Sequence, residues 1–253
     1  MTTPLPPTST MRASLRRAKA GGERFLGGVM PGATARRLQV RAFADEWAAA
    51  NIVARHAPGP LWVVLGDSTS QGIGATTRQA GYVGVVHEVL RRREAWRVIN
   101  LSRAGAGVAD VLARQLPELA GLTDEEPADL VTCVVGAEDV ARRLTGTDIA
   151  LRTMCAAMPR GAVIGTVPLA GPAADAANAV LRDEVVKHAL RLADLGAVKD
   201  APTRGREAVR LGDVGHAAWA KIMVAAIDNP APNSDPTPPE GIPQVAATAD
   251  GDV

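Results

Sequence analysis

The feature that most constrains this chain is a recurring alternation of two kinds of segment. Short, nearly continuous apolar runs are separated by longer stretches whose apolar residues recur at helical spacing. The runs are Leu61-Trp62-Val63-Val64-Leu65, Trp96-Arg97-Val98-Ile99-Asn100-Leu101, Leu130-Val131-Thr132-Cys133-Val134-Val135 and Ala162-Val163-Ile164-Gly165-Thr166-Val167, with a shorter fifth at 190–195. Helices are predicted over 82–93, 108–119, 149–158, 174–187 and 217–228, with Pro117 expected to kink or shorten the second. A strand that is apolar on both sides must be covered on both sides, and helices that return the chain between parallel strands supply that cover. Right-handed crossovers then lead to an α/β fold: a three-layer α/β/α sandwich with a parallel, flavodoxin-like sheet in the order 2-1-3-4-5.

The ends of the chain read differently. Before Ala42 the cations are Arg12, Arg16, Arg17, Lys19, Arg24, Arg36, Arg37 and Arg41, against Glu23 as the only acid. Residues 1–32 are expected to be a disordered basic arm, which could touch an anionic surface or serve only as a solvated extension. Residues 33–55, with Leu38, Phe43, Trp47 and Ile52, are expected to form a helix that opens a single domain over 33–229. Residues 230–253 are rich in proline, too poor in apolar surface to fold, and expected to be disordered.

A formal net charge of +1 gives no global field that would draw the chain to nucleic acid. Cys133 and Cys155 have neither CxxC nor metal-ligand spacing, which suits reduced thiols. No apolar run approaches the roughly 18 residues of a membrane span. The basic N-terminus lacks the apolar core of a secretory signal, so the expected compartment is the cytoplasm.

Ligands of open α/β sheets bind beyond the carboxyl ends of the strands. Four features fall there: Gly66-Asp67-Ser68, Ser102-Arg103-Ala104-Gly105, Gly136-Ala137-Glu138-Asp139 and Asp213-Val214-Gly215-His216. Read alone, Gly66-Asp67-Ser68 could be a strand-to-helix turn with a capping side chain, and His216 a residue that merely begins a helix.

Taken together, these segments resemble the SGNH/GDSL hydrolases, over about 61–227. Leu65-Gly66-Asp67-Ser68 with Gly72-Ile73-Gly74 is similar to the family's first block, and Asn100-Leu101-Ser102 with Gly105 to its second. Gly136, Ala137 and Asp139 keep three of the four positions of Gly-x-Asn-Asp, and Asp213 and His216 have the spacing of Asp-x-x-His. The resemblance implies a serine esterase or acyl-ester hydrolase without metal or organic cofactor, acting on a small-molecule ester; an acyltransferase would use the same residues. Ser68 would be the nucleophile at the start of a helix, His216 its base and Asp213 the group that orients the imidazole. The N–H groups of Ser68 and Gly105, with the amide of the third block, would bind the oxyanion, and Gly105 and Gly136 would line one cleft with Ser68.

Two departures qualify this. Position 138 is Glu, and an ionised carboxylate can only accept hydrogen bonds. His216 also runs directly into Ala217-Ala218-Trp219-Ala220, so Gly215-His216 can instead be aligned with the Gly-x that opens the last helix. The other histidines, His56, His87 and His188, fall before the first strand or on predicted helices. The alternative function is therefore a degenerate, non-catalytic relative that binds a ligand or partner through the former cleft.

Overall fold

The computed structural model describes residues 33–124, 126–197 and 211–229. The expected basic arm and proline-rich tail lie outside the described residues. Helix α1 spans Ala33–His56. It is followed by β1 (Leu61–Gly66), α2 (Tyr82–Arg91) and β2 (Arg97–Asn100). Next come α3 (in three pieces, Val108–Asp110, Val111–Gln115 and Leu116–Thr123), β3 (Leu130–Val134), α4 (Ala137–Ala141), α5 (Thr147–Ala157) and β4 (Val163–Gly165). Helix α6 (Pro172–Lys187), β5 (Arg191–Ala193) and α7 (Asp213–Asp228) complete the series.

The five strands are all parallel in the order β2-β1-β3-β4-β5, the arrangement expected from the alternation. Side chains alternate across a strand, so each strand feeds two cores. Leu61, Val63 and Leu65 of β1 point to one side, where they join Val108 and Val111 of α3, Leu151 of α5 and Leu181 of α6. Trp62 and Val64 point to the other, where they meet Val83 and Val86 of α2 and Trp219 and Met223 of α7. Helix α1 lies along β2, at the edge of the sheet. Its Asn51 amide donates to the Asn100 carbonyl and accepts from the Asn100 N–H, both at 2.9 Å. An exposed strand edge is a template for unwanted pairing, and this helix covers it.

Helix α3 differs from the form expected for 108–119. It continues past Pro117 to Thr123 because a π-helical stretch, Val111–Gln115, precedes the proline. Pro117 then falls in the first turn of the last piece, where its missing N–H costs least.

Candidate functional site

The carboxyl ends of β1, β2 and β3 meet through backbone hydrogen bonds. Arg103 N–H donates to the Gly66 carbonyl at 3.1 Å, and Asp67 N–H to the Val134 carbonyl at 3.2 Å. Gly66 has φ +138, and a Cβ there would come 2.3 Å from the Val134 oxygen, so only glycine lets β1 approach β3 this closely. Ser68 follows β1 at this edge and is half-buried. It was expected to begin a helix and does not. Gly72 and Gly74 have φ +87 and +103, and Ile73 N–H closes back on the Ser68 carbonyl at 3.0 Å, which makes a run of turns. The next helical piece along the chain starts at Arg78, so Ser68 does not sit at the N-terminus of a helix of its own.

The Ser68 hydroxyl makes no hydrogen bond among the described residues, and neither do the backbone N–H groups of Ser68 and Gly105. Gly105 is exposed, has φ +82 and faces open space. Two of the three expected oxyanion donors are therefore uncommitted. Gly136 does not line the opening as expected. It is buried in a left-handed conformation that turns the chain into α4, and its Cα faces Val108, Leu151 and Val167.

Glu138 projects from α4, half-buried, with its carboxylate 2.7 Å from Arg142. Asp139 is buried and accepts from Val108 N–H at 3.2 Å, tying α4 to α3. The Asp67 carboxylate accepts from Thr69 N–H at 2.8 Å. Burial pushes its pKa up to about 6, with the Thr69 hydrogen bonds opposing and the charges of Glu138 and Asp139 adding to the rise. The carboxyl groups of Glu138 and Asp139 are thus close enough to raise the proton affinity of Asp67 beside Ser68, and none of the three can donate to an oxyanion while ionised.

The Asp213–His216 pair does not form in the expected way. Asp213 is the first residue of α7, and its carboxylate accepts from the N–H and hydroxyl of Thr76 at 2.7 and 2.8 Å. His216 lies one turn into the same helix and is 0% exposed. Its Nδ1 accepts from Tyr82 N–H at 3.2 Å, which leaves the proton on Nε2, 3.4 Å from the Ile73 carbonyl. Its ring stacks with that of Tyr82 at 6.4 Å, and burial holds its pKa below the ordinary range. Both ring nitrogens are engaged and neither bonds Ser68. The last helix opens at Asp213, and His216 belongs to its first turn, as in the alignment that assigns His216 to that helix.

The chain has four histidines, and the other three sit at the opposite edge of the sheet. His56 ends α1, just ahead of β1. His87 bonds the Trp96 carbonyl, next to the first residue of β2. His188 bonds Glu184 and precedes β5. A strand rises about 3.3 Å per residue, so β1 separates that edge from Ser68 by roughly 15–20 Å. Among the described residues no group of three or more His, Cys, Asp or Glu side chains is arranged to hold a metal.

Sequence reasoning missed Gln115. Its buried amide accepts from Gly66 N–H at 2.7 Å and donates to the Gly66 carbonyl at 2.9 Å, acting as a strand partner for the last residue of β1. The signal was present: Gln115 sits between Val111 and Leu119 on the apolar stripe of α3, where an unpaired amide would be costly.

A family model described as the GDSL-like lipase/acylhydrolase family matches residues 64–222. Among solved structures, TesA matches at 20% identity and a TM-score of 0.55, over 66% of this chain and 98% of its own. A catalytic mutant of Axe2, an acetylxylan esterase from Geobacillus stearothermophilus, matches at 18% identity and 0.55, over 69% and 97%. A lipase/acylhydrolase from Enterococcus faecalis matches at 20% and 0.53, over 67% and 95%. At these identities the likeness is one of fold. No curated protein matches by sequence.

Proposed function

We propose, on the premise that this chain belongs to the GDSL-like lipase/acylhydrolase family, that it is a degenerate member which binds an ester or acyl ligand at the Ser68 cleft without histidine-assisted hydrolysis. One observation carries this reading: of four histidines, three lie at the far edge of the sheet and the fourth, His216, has both ring nitrogens engaged inside the core. A general base contributes about 10²–10⁴-fold to such a reaction. An oxyanion donor is worth about 2.7–4 kcal/mol, and Glu138 replaces the side-chain donor with an acceptor. The free N–H groups of Ser68 and Gly105 still suit the carbonyl oxygen of a bound ester.

A second reading, a serine esterase with Ser68 as nucleophile, is favoured by the uncommitted hydroxyl beside those two donors. Initial rates on nitrophenyl acetate separate the two. For the proposed function, wild type, Ser68→Ala and Glu138→Asn all hydrolyse at the same background rate, while calorimetry with ethyl butyrate detects binding that Ser68→Trp blocks. Turnover that Ser68→Ala abolishes, or that Glu138→Asn raises about a hundredfold or more, would establish the esterase. Absence of both turnover and ester binding would reject both readings.

A further inference from the structure

We propose that the groove between α1 and α2 is a second binding site, separate from the Ser68 cleft, for a straight-chain carboxylate: a fatty-acid anion taken up as a monomer. Helix α1 covers the edge of β2, α2 packs on the adjoining face of the sheet, and between them they leave an open groove of about 900 Å³. Trp47, Ala54 and Val98 form its buried floor, and Val53, Val85 and Trp96 its walls. Asp67, Ser68, Gly105 and Glu138 do not line it.

Charge decides which amphiphile fits. Four arginines, Arg78, Arg91, Arg92 and Arg97, line the groove against one acid, Glu88. Arg97 is held by Glu126 and by two backbone carbonyls, and Arg78 lies over the Trp47 ring at 4.3 Å while paired with Glu46. Arg92 meets Glu88 at 3.4 Å with both side chains largely in solvent, and Arg91 makes no ion pair among the described residues. A cation is therefore available at the end of an apolar strip. From Gly84 to Arg91 the wall of α2 is about 10 Å long, the reach of an extended medium-length chain. An apolar tail on the floor with its carboxylate at Arg91 and Arg92 satisfies both features. A cationic amphiphile satisfies only one, and a neutral one leaves the arginines unused.

The groove carries its own reporters, because Trp47 and Trp96 line it while Trp62 and Trp219 are buried in the core. Brominated dodecanoate, titrated below its micelle concentration into the full chain, should quench tryptophan fluorescence saturably at one equivalent. Affinity for unbrominated competitors should rise roughly three- to fourfold per methylene from butanoate to octanoate and level off beyond about ten carbons, where the chain outruns the wall of α2. It should weaken with added salt as the arginine charges are screened. Arg91→Glu combined with Arg92→Glu, both exposed and so tolerated by the fold, should weaken binding about tenfold or more, and Ser68→Trp, read by calorimetry because it adds a tryptophan, should leave it unchanged. Non-saturating quenching, equal binding of dodecyltrimethylammonium, or a double variant that binds as well as wild type would overturn the site. Loss of binding in Ser68→Trp would move the ligand to the Ser68 cleft and also overturn it. The chain-length and salt dependences are read on wild type, so the test does not depend on any variant folding.

Discussion

Replacing His216 by alanine separates a structural histidine from a catalytic one. The imidazole is fully enclosed, and its removal strands two buried backbone groups, Tyr82 N–H and the Ile73 carbonyl. A buried polar group left without its partner costs about 1–3 kcal/mol, and the vacated volume adds a cavity cost of similar order. The loss expected for His216→Ala is about 3–5 kcal/mol, or roughly 6–20 °C in melting temperature for a domain of this size. His216→Phe fills the volume but makes neither bond, so its loss should be about half as large. Protonation should mimic the substitution. Burial lowers the folded-state pKa of His216, so the unfolded chain binds the proton more readily. The histidine's contribution is then complete above its unfolded pKa, about 6.5, and is lost as pH falls below that value towards the folded pKa. Urea denaturation of wild type and His216→Phe between pH 5 and 8 reads this directly, because the stability gap between them should narrow as pH falls. If His216→Ala melted within about 1 °C of wild type while abolishing a Ser68-dependent esterase activity, the assignment of this histidine to the core would be refuted.

Asp67 has the opposite sign. Its folded pKa is raised to about 6, so the proton it keeps favours the folded state below its unfolded pKa, and that advantage is lost as pH rises through about 6. Asp67→Asn keeps an acceptor for Thr69 N–H without the charge, and by denaturant titration it should gain stability over wild type from pH 5 to pH 8, by up to about 3 kcal/mol; equal curves at both pH values would show that the carboxylate is not strained by burial. Gln115→Leu leaves the buried Gly66 N–H unpaired, and thermal denaturation should show a loss of about 2–4 kcal/mol; a neutral result would mean that the amide pair does not hold the end of β1.

Much of the architecture was legible along the chain, because the two kinds of period are local. An apolar run such as Leu61 to Leu65, short, β-branched at Val63 and Val64 and bounded by Pro60 and Gly66, reads as a strand covered on both faces, and Val108, Val111 and Leu119 recur at the spacing of one helix face. Right-handed crossovers limited the sheet to doubly wound orders, of which the flavodoxin-like one expected is the one found, and the rule that parallel strands present their carboxyl ends at one edge pointed to the edge that carries Ser68. The direction of individual side chains was not legible. Asp213 and His216 have the spacing of a catalytic pair, yet adjacent residues on one helix share no partner when the tertiary structure gives each a different one. Thr76, 137 residues away, takes the Asp213 carboxylate, and the Tyr82 N–H, 134 residues away, takes the His216 lone pair. Gln115 and Gly66, 49 residues apart, likewise meet only in the folded chain, where Gln115 ends a π-helical stretch beside the end of β1. Hydrogen bonds saturate: an imidazole nitrogen or a carboxylate oxygen spent on one partner is unavailable to another. Which partner arrives first is decided by packing, and spacing along the chain does not record it.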